Sequence, residues 1–428
     1  MKILLVEPHL GVRRNWLYQF AYYRSLALEQ IAALTPPEHT VEIVEEKRRA
    51  IDFSKHYDLI GISCFTCNAL RGYTIADAFR AQGTPVVLGG YHPTSMYHEA
   101  KMHADSVVIG EAELVWGQLL QDAQQGALKP FYRANQLVSP EEIPAARRSK
   151  THSSAIASLQ ASRGCPNRCH FCAMHTVEGA HFRPRPVRNV IEEIRSIPNK
   201  KLLFVDSSMT INPGYSKALF QEMARDEKKF ECFGNINVLS RDDDLLKVAS
   251  DAGCIRWLVG IESMSQETIN SMKKGTNKVK DYTVAVQNIR DYGMLVTGLF
   301  MFGFDTDTVS VFESTLRAMR ALDLDTATFS ILTPYPGTGV YQDLETAGRI
   351  LTKDWSLYTE GNLVFQPRQM TPEQLLLGTQ HAAMDYYSFA NSMRRCLHPN
   401  HLRLNVWMTK IARNFFFTRQ FNKELFNV

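Results

Sequence analysis

The sequence predicts an α/β protein in three parts: an N-terminal doubly wound parallel sheet, a partial six-stranded βα barrel and a helical C-terminal extension. Three observations carry that reading. Short runs rich in Val and Ile, punctuated by Gly or Pro, alternate with stretches of helical spacing, and they do so in two separate series. The chain has 428 residues, too many for one ordinary core. Finally, three of the eight cysteines fall within eight residues, directly after the first run of the second series.

The first series comprises residues 2–7, 41–45, 58–63, 85–89 and 106–110. Between these runs lie helical patterns such as Leu70, Tyr73, Ala76 and Phe79. Apolar strands alternating with helices imply a parallel sheet covered on both faces, so residues 1–135 read as a doubly wound domain. Such sheets bind ligands in loops at the carboxyl ends of their strands. Gly61, Ser63, Gly89, Gly90, His92, Gly110 and Glu111 occupy those positions. From residue 131 the apolar periodicity fades, and 136–155 reads as a linker with Pro140, Pro144 and the basic run Arg147-Arg148-Ser149-Lys150, taken as a solvated loop.

The second series comprises 156–162, 201–206, 231–238, 255–262, 294–303 and 326–333. One intervening helix carries Val187, Val190, Ile191, Ile194 and Ile197 on a single face. Six strand–helix units fall short of the eight of a closed barrel, so residues 156–365 read as an open, partial one. The extension, 366–428, opens on Thr371-Pro-Glu-Gln, a capping box with proline at the first helical position. Further on, Leu404, Trp407, Met408, Ile411 and Phe415 form an apolar stripe with Arg403, Lys410 and Arg413 off it. Two placements suit such a helix. It packs its stripe on the barrel, the commoner arrangement, or it lies on a membrane as a peripheral contact.

Composition narrows the function. Hydrophobic residues make up 45% and charged residues 21%, a folding composition. The 48 basic and 44 acidic residues nearly balance, which gives no case for nucleic acid as a partner. The N-terminal apolar run is too short for a signal peptide, and no stretch is long enough to span a bilayer, so a cytoplasmic location is expected. In that reducing compartment, clustered cysteines point to a metal or redox role rather than to disulfides.

The cluster is Arg163-Gly-Cys165-Pro-Asn-Arg-Cys169-His-Phe-Cys172, or C-x-x-x-C-x-x-C. Three thiolates can hold three irons of a cubane and leave the fourth open, whereas electron-transfer clusters normally have a fourth cysteine. An open iron can chelate the amino and carboxylate groups of a small molecule. Zinc is the other reading, with His170, His175 or His181 as a fourth ligand, although structural zinc sites typically use two spaced pairs. Cys64 and Cys67 form a separate C-x-x-C, read as small loop residues.

With Phe171 before its third cysteine, this motif resembles the signature of the radical S-adenosylmethionine superfamily, whose fold is a partial six-stranded barrel. The resemblance implies that Cys165, Cys169 and Cys172 hold a [4Fe–4S] cluster, that S-adenosylmethionine binds its open iron, and that a 5′-deoxyadenosyl radical is released. It also implies cofactor contacts from strand ends: Asp206 and Ser207, Asn237, Glu262, and Gly303 in Gly298-Leu-Phe-Met-Phe-Gly303. Thr333-Pro-Tyr-Pro-Gly337-Thr338 is similar to the family's sixth-strand loop. One departure is Phe304-Asp305-Thr306-Asp307, where relatives often carry proline, glycine and an acid. A doubly wound domain ahead of the barrel resembles the cobalamin-binding subgroup, which implies cobalamin near Gly61, Ser63, Gly89, Gly90, His92, Gly110 and Glu111. No D-x-H-x-x-G motif is present, so a histidine from this domain is not expected on cobalt.

The expected activity is cobalamin-dependent methyl transfer to an unactivated carbon by an oxygen-sensitive enzyme fed by an electron donor such as flavodoxin or ferredoxin. The alternative is a cyclase, oxidase or rearrangement enzyme of the same architecture. A non-catalytic iron–sulfur or zinc protein is the third reading. Aromatic content of 10%, with Phe415-Phe416-Phe417, hints at a hydrophobic small-molecule substrate.

Overall fold

A strand buried on both faces needs helices on either side of its sheet, and both sheets of this protein obey that rule. The computed structural model describes residues 1–9, 25–148, 155–397 and 404–424. Its first sheet contains β1 (Lys2–Glu7), β2 (Thr40–Glu45), β3 (Leu59–Ser63), β4 (Val86–Gly89), β5 (Ser106–Ile109) and β6 (Phe131–Arg133). All pairs are parallel, in the order β2-β1-β3-β4-β5-β6. Alternate residues serve opposite faces: Leu4, Val6, Ile60 and Ile62 enter one core, and Ile3, Leu5, Leu59 and Val87 the other. The strand order reverses between β1 and β3, which opens a crevice at their carboxyl ends. β6 was not legible in sequence, because only Tyr132 of its three residues is buried and no alternation can develop.

A two-stranded ribbon, β8 (Ser162–Arg163) with β9 (Arg183–Pro184), flanks the second sheet. That sheet contains β7 (Ala157–Leu159), β10 (Lys201–Phe204), β11 (Lys229–Gly234), β12 (Cys254–Glu262), β13 (Leu295–Phe302) and β14 (Thr326–Ile331). They pair in parallel in sequential order, so the barrel wall is open between β7 and β14. Its largest core gathers Leu159, Phe204, Phe230, Trp257 and Val296, with Val190, Ile191 and Ile194 from the helix Val187–Ser196.

The segment between the sheets is not merely solvated. Arg148 reaches Glu29 in the first domain at 3.1 Å, and Glu193 and the Ser158 carbonyl in the barrel at 3.1 and 2.6 Å. The expectation of a free basic loop is therefore corrected for Arg148, while Ser149 and Lys150 lie outside the described residues. A second junction is deeper. Glu111, just past β5, accepts from Arg163 at 3.0 Å and from Arg183 at 2.7 Å, with all three residues buried.

The capping box forms as the sequence implies: the Thr371 hydroxyl accepts from Gln374 N–H and the Gln374 side chain accepts from Thr371 N–H. The helix it starts, Pro372–Tyr386, is followed by Phe389–Leu397 and Leu404–Glu424. The last helix reverses the commoner expectation. It docks through Val406, Lys410 and Asn414, while Leu404, Met408 and Phe415 of the apolar stripe are exposed. The cause is a buried polar contact: Lys410 Nζ lies 2.8 Å from Asp325, and Asn414 donates to the Asp325 carbonyl at 3.1 Å. Arg403 and the side chains of Phe416 and Phe417 lie outside the described residues. No helix among the described residues is long and apolar enough to cross a membrane.

Breaking a buried ion pair by removing one partner costs roughly 3–5 kcal/mol, because the other charge stays behind. Lys410→Met should accordingly loosen the last helix without unfolding the barrel. In limited proteolysis its chain should be cut beyond residue 397 well before wild type. Equal cleavage rates would show that the pair does not hold the helix.

Candidate active site

Parallel strands present all their carboxyl ends to one side, and the two sheets turn those sides toward each other. The cysteine loop lies between them. Gly164, at φ +77°, starts it, and a Cβ there would collide with the His181 carbonyl oxygen, so only glycine fits. Glu178 holds the same turn by accepting from Gly164 N–H at 3.1 Å, and Cys165 N–H donates to the Gly179 carbonyl. Farther along, His170 N–H donates to the Met272 carbonyl and the ring Nε2 lies 2.7 Å from Asp343. The ring packs so tightly on Gly339 that a side chain there would displace it. His170 is thereby committed to anchoring the loop on the helix Gly339–Thr346.

Burial raises the pKa of all three thiols, Cys169 to about 11, while the charge of Lys274 pulls each one down. Iron ligation there would release protons. Among the described residues no three His, Cys, Asp or Glu side chains converge on a single ion. A cubane instead takes each thiolate on its own iron, so a spread set of three suits it. The other cysteines do different work. Cys232 and Cys254 are buried in β11 and β12, Cys396 is buried in the extension, and Cys64 is buried under Gly72.

Around the loop, Phe171 meets Phe304 edge-on at 6.2 Å, and Lys274 lies over its ring at 5.9 Å. Lys274 also bonds Glu262 at 2.5 Å. Glu262 takes the left-handed backbone at φ +62°, uncommon for a residue with a side chain, at the end of β12. Gly260 lies beneath the pair, and a Cβ there would enter both side chains. Ser207, just past β10, has a buried hydroxyl with no partner among the described atoms. An orphaned hydroxyl and a charged pair beside the thiols fit a polar cosubstrate such as S-adenosylmethionine.

Three other expected contacts have different surroundings. Asp206 is buried and accepts from Ala161 N–H at 3.1 Å, from Ser162 N–H at 2.5 Å and from the Ser162 hydroxyl at 2.6 Å. It ties β10 to the start of the cysteine segment rather than offering a free carboxylate. Burial pushes its pKa up to about 6 against those hydrogen bonds. Asn237 is exposed, one turn beyond the end of β11, whereas Asn235 sits at the strand end, half-buried, its N–H bonded to Thr210. Gly303, at φ +105°, packs against Phe365 and Leu375 and donates its N–H to Asp307 at 2.9 Å. Asp307 thus closes the loop whose sequence departs from the family pattern.

On the first-domain side, Gly90 is required: at φ +100°, a Cβ would lie 2.7 Å from the Cys64 carbonyl oxygen. Gly89 and Ser63 end adjacent strands beside it, and Gly110, at φ +85°, has open space where a Cβ would go. Phe65 is 51% exposed and stacks on Tyr91 at 5.8 Å, making an aromatic wall. Tyr91 Oη donates to Met174 Sδ of the cysteine loop at 3.2 Å, so the two seats adjoin. A glycine-rich edge with an aromatic wall at the carboxyl ends of β3, β4 and β5 fits a large planar cofactor such as cobalamin.

Three positions expected there have protein neighbours of their own. Gly61 is buried inside β3, where a Cβ would meet Leu5 at 2.8 Å, so its role is packing. His92 is 0% exposed, lies 3.4 Å from Glu99 and meets Trp355 edge-on at 5.1 Å, out of reach of a ligand. Glu111 is taken up by Arg163 and Arg183. The sequence reading also missed residues that line the space, notably Lys274 and Glu360. Glu360 joins β14, its carbonyl accepting from Ile331 at 2.7 Å, and its carboxyl is 3.3 Å from Ser330 Oγ. Enclosure by protein raises the pKa of Glu360 although solvent still reaches it, as a cavity wall should allow. Neither residue belongs to a motif, so only the tertiary structure could find them.

Comparison with known proteins agrees with this geometry. Residues 159–319 match the model of the radical SAM superfamily, and residues 32–120 that of the B12 binding domain. The chain is 31% identical to the bacteriochlorophyllide d C-12(1)-methyltransferase of Chlorobaculum tepidum, over 99% of this chain and 95% of that one. It is 30% identical to the C-8(2)-methyltransferase of the same organism, over 90% of each. Among solved structures, the radical S-adenosylmethionine methyltransferase TsrM of Kitasatospora setae, with cobalamin and a [4Fe–4S] cluster bound, aligns with TM-score 0.75 at 16% identity, covering 99% of both chains. This chain belongs to the cobalamin-binding branch of the radical S-adenosylmethionine superfamily. It is an enzyme whose cofactors are a [4Fe–4S] cluster, S-adenosylmethionine and cobalamin.

Two outcomes follow from the loop geometry. Gly164→Ala should cut the iron bound per chain severalfold after anaerobic reconstitution, with the melting temperature of the cluster-free protein lowered only slightly; undiminished iron would remove the requirement for glycine. Asp307 supplies the second. Burial raises its pKa to about 6, outweighing the Gly303, Phe304 and Thr268 hydrogen bonds. The unfolded carboxyl titrates near ~3.9, so the folded chain holds an extra proton between those values, and stability falls as pH rises across that window. Asp307→Asn should flatten the fall of melting temperature between about pH 4 and 6.

Proposed function

We propose that this enzyme transfers a methyl group to an unactivated carbon on the rim of a tetrapyrrole related to the bacteriochlorophyllides. The observation that carries the reading is the near full-length likeness to two enzymes whose names state that chemistry. The exposed aromatic face of Phe65, stacked on Tyr91 beside the cysteine loop, supports it, since a flat macrocycle packs well on aromatic rings.

In this reading Cys165, Cys169 and Cys172 hold the cluster, and Ser207 with the Glu262–Lys274 pair faces S-adenosylmethionine. Gly89, Gly90, Gly110 and Ser63 let the corrin approach the backbone, with Phe65 and Tyr91 against its side. When bound, these groups supply a carbon-centred radical and a transferable methyl group. The chain's own task is to keep the space dry and the substrate still. Phe171, Phe304 and Met174 exclude water around the loop, and Glu360 offers a hydrogen-bond acceptor to the substrate's polar edge. A small flavodoxin- or ferredoxin-type protein delivers the electron, in a reducing cytoplasm that keeps the five cysteines outside the cluster as thiols.

The test is an anaerobic assay of the reconstituted enzyme with bacteriochlorophyllide d, S-adenosylmethionine and a strong reductant. The expected result is a product heavier by one methylene, with S-adenosylhomocysteine and 5′-deoxyadenosine formed in equal amounts. All three should vanish in the Cys165→Ala/Cys169→Ala/Cys172→Ala variant. 5′-Deoxyadenosine without S-adenosylhomocysteine, from a substrate that loses hydrogen or closes a ring, would replace methyl transfer by oxidation or cyclisation.

A further inference from the structure

An amphipathic helix at the end of a soluble domain normally buries its apolar side. Here Leu404, Met408, Ala412 and Phe415, spaced four, four and three residues apart, face outward along one line. Leu404 is 73% exposed, Met408 53% and Phe415 47%. The preceding helix adds Phe389 at 68% and Leu397 at 70%. Five large apolar side chains exposed on two helices that pack on one another exceed the single exposed residues that need no explanation.

The polar side is what holds the helix. Lys410 and Asp325 are buried together, Arg413 bonds Glu231 at 2.7 Å, and Asn414 accepts from the buried Arg395 at 2.9 Å. Rotating the helix to bury the stripe would break all three contacts. The outward stripe is therefore fixed by the fold.

Charge selects the occupant. Residues 388–428 contain seven Lys or Arg and one acid, Glu424, whereas the rest of the chain carries slightly more acid than base. Lys410 and Arg413 are neutralised by Asp325 and Glu231, and Arg395 is buried, which leaves the exposed Arg394 and, in the sequence of the same segment, three further basic residues against one acid. Two copies meeting through this face would bring like charges together. An anionic lipid surface meets both requirements, apolar depth and negative charge. We propose that the C-terminal helices form a peripheral membrane-binding face, specific for bilayers with anionic headgroups. The enzyme would then work where a sparingly soluble, hydrophobic substrate accumulates.

The experiment is flotation of the full-length, cluster-loaded enzyme with phosphatidylcholine vesicles, with and without phosphatidylglycerol. The proposal expects flotation only with phosphatidylglycerol, weakened by added salt and reduced about tenfold or more by Met408→Glu/Phe415→Glu. Leu351→Glu, at a 54% exposed apolar residue outside this surface, should change nothing. Iron content and melting temperature verify that the variants fold, and Leu404→Glu substitutes should the pair be unstable. Failure to float, equal flotation of the double variant, or a dimer in sedimentation that the same substitutions dissolve would each overturn it. None of these outcomes depends on which molecule the enzyme methylates.

Discussion

Arg163 fixes the distance between the two halves of this enzyme. Its guanidinium donates at 3.0 Å to Glu111 and 3.1 Å to Gln30, and lies 2.6 Å from Glu113, all from the first domain. In the barrel it bonds Gln160 at 3.0 Å. Burial alone would pull such a cation toward neutrality, yet Glu113, Glu111 and Glu178 hold its pKa above the ordinary arginine value. Only a planar fork with several donors can satisfy acceptors on so many sides, and lysine would leave some of them unpaired. Cys165 is two residues away, so any shift of the first domain on Arg163 is transmitted to the cluster loop.

That coupling matters because the chemistry lies between the domains. The cluster and cobalamin would supply radical and methyl-transfer chemistry, and the residues at the junction would hold the two cofactor seats at one separation and keep water out. The distances are set by buried contacts at several points of the rim. Glu111 with Arg163 and Arg183 forms one. Another is Glu99, whose single oxygen Oε1 takes bonds from Tyr73 at 2.9 Å and from Trp355 at 2.8 Å. Arg148, linking Glu29 to Glu193, is a third. Charged contacts of this kind are costly to break singly, which favours one relative placement over a range of them.

Sequence made the strands readable because strands buried on both faces are continuous apolar runs, and all eleven parallel strands expected lie within the runs or within a few residues of them, β6 being the parallel strand that no run marked. The cysteine motif was readable because its spacing is itself the chemistry. What the spacing could not convey is what each strand-end residue faces. Gly61 and Gly90 look alike in sequence, yet one makes room for Leu5 and the other for the backbone at Cys64. Glu111 reads as a strand-end acid suited to a ligand, and its real partners lie 52 and 72 residues further along. Asn237 and Asn235 are both polar groups after β11, and only the turn that follows decides which one is exposed.

The last helix shows the same limit in its sharpest form. Periodicity marked Leu404, Met408 and Phe415 of the exposed line together with the half-buried Trp407 and Ile411, and was silent on direction, because direction depends on partners far away in the chain. Asp325, at the start of β14, and Glu231, in β11, lie under the barrel where no solvent satisfies them. An apolar helix face laid there would have left Asp325 buried without a counter-ion, at a cost of several kcal/mol, and Glu231 with Arg256 alone. A helix that offers Lys410, Arg413 and Asn414 satisfies them, and its apolar side is then necessarily turned outward. The barrel's own buried acids therefore determine the face that the molecule presents to its surroundings.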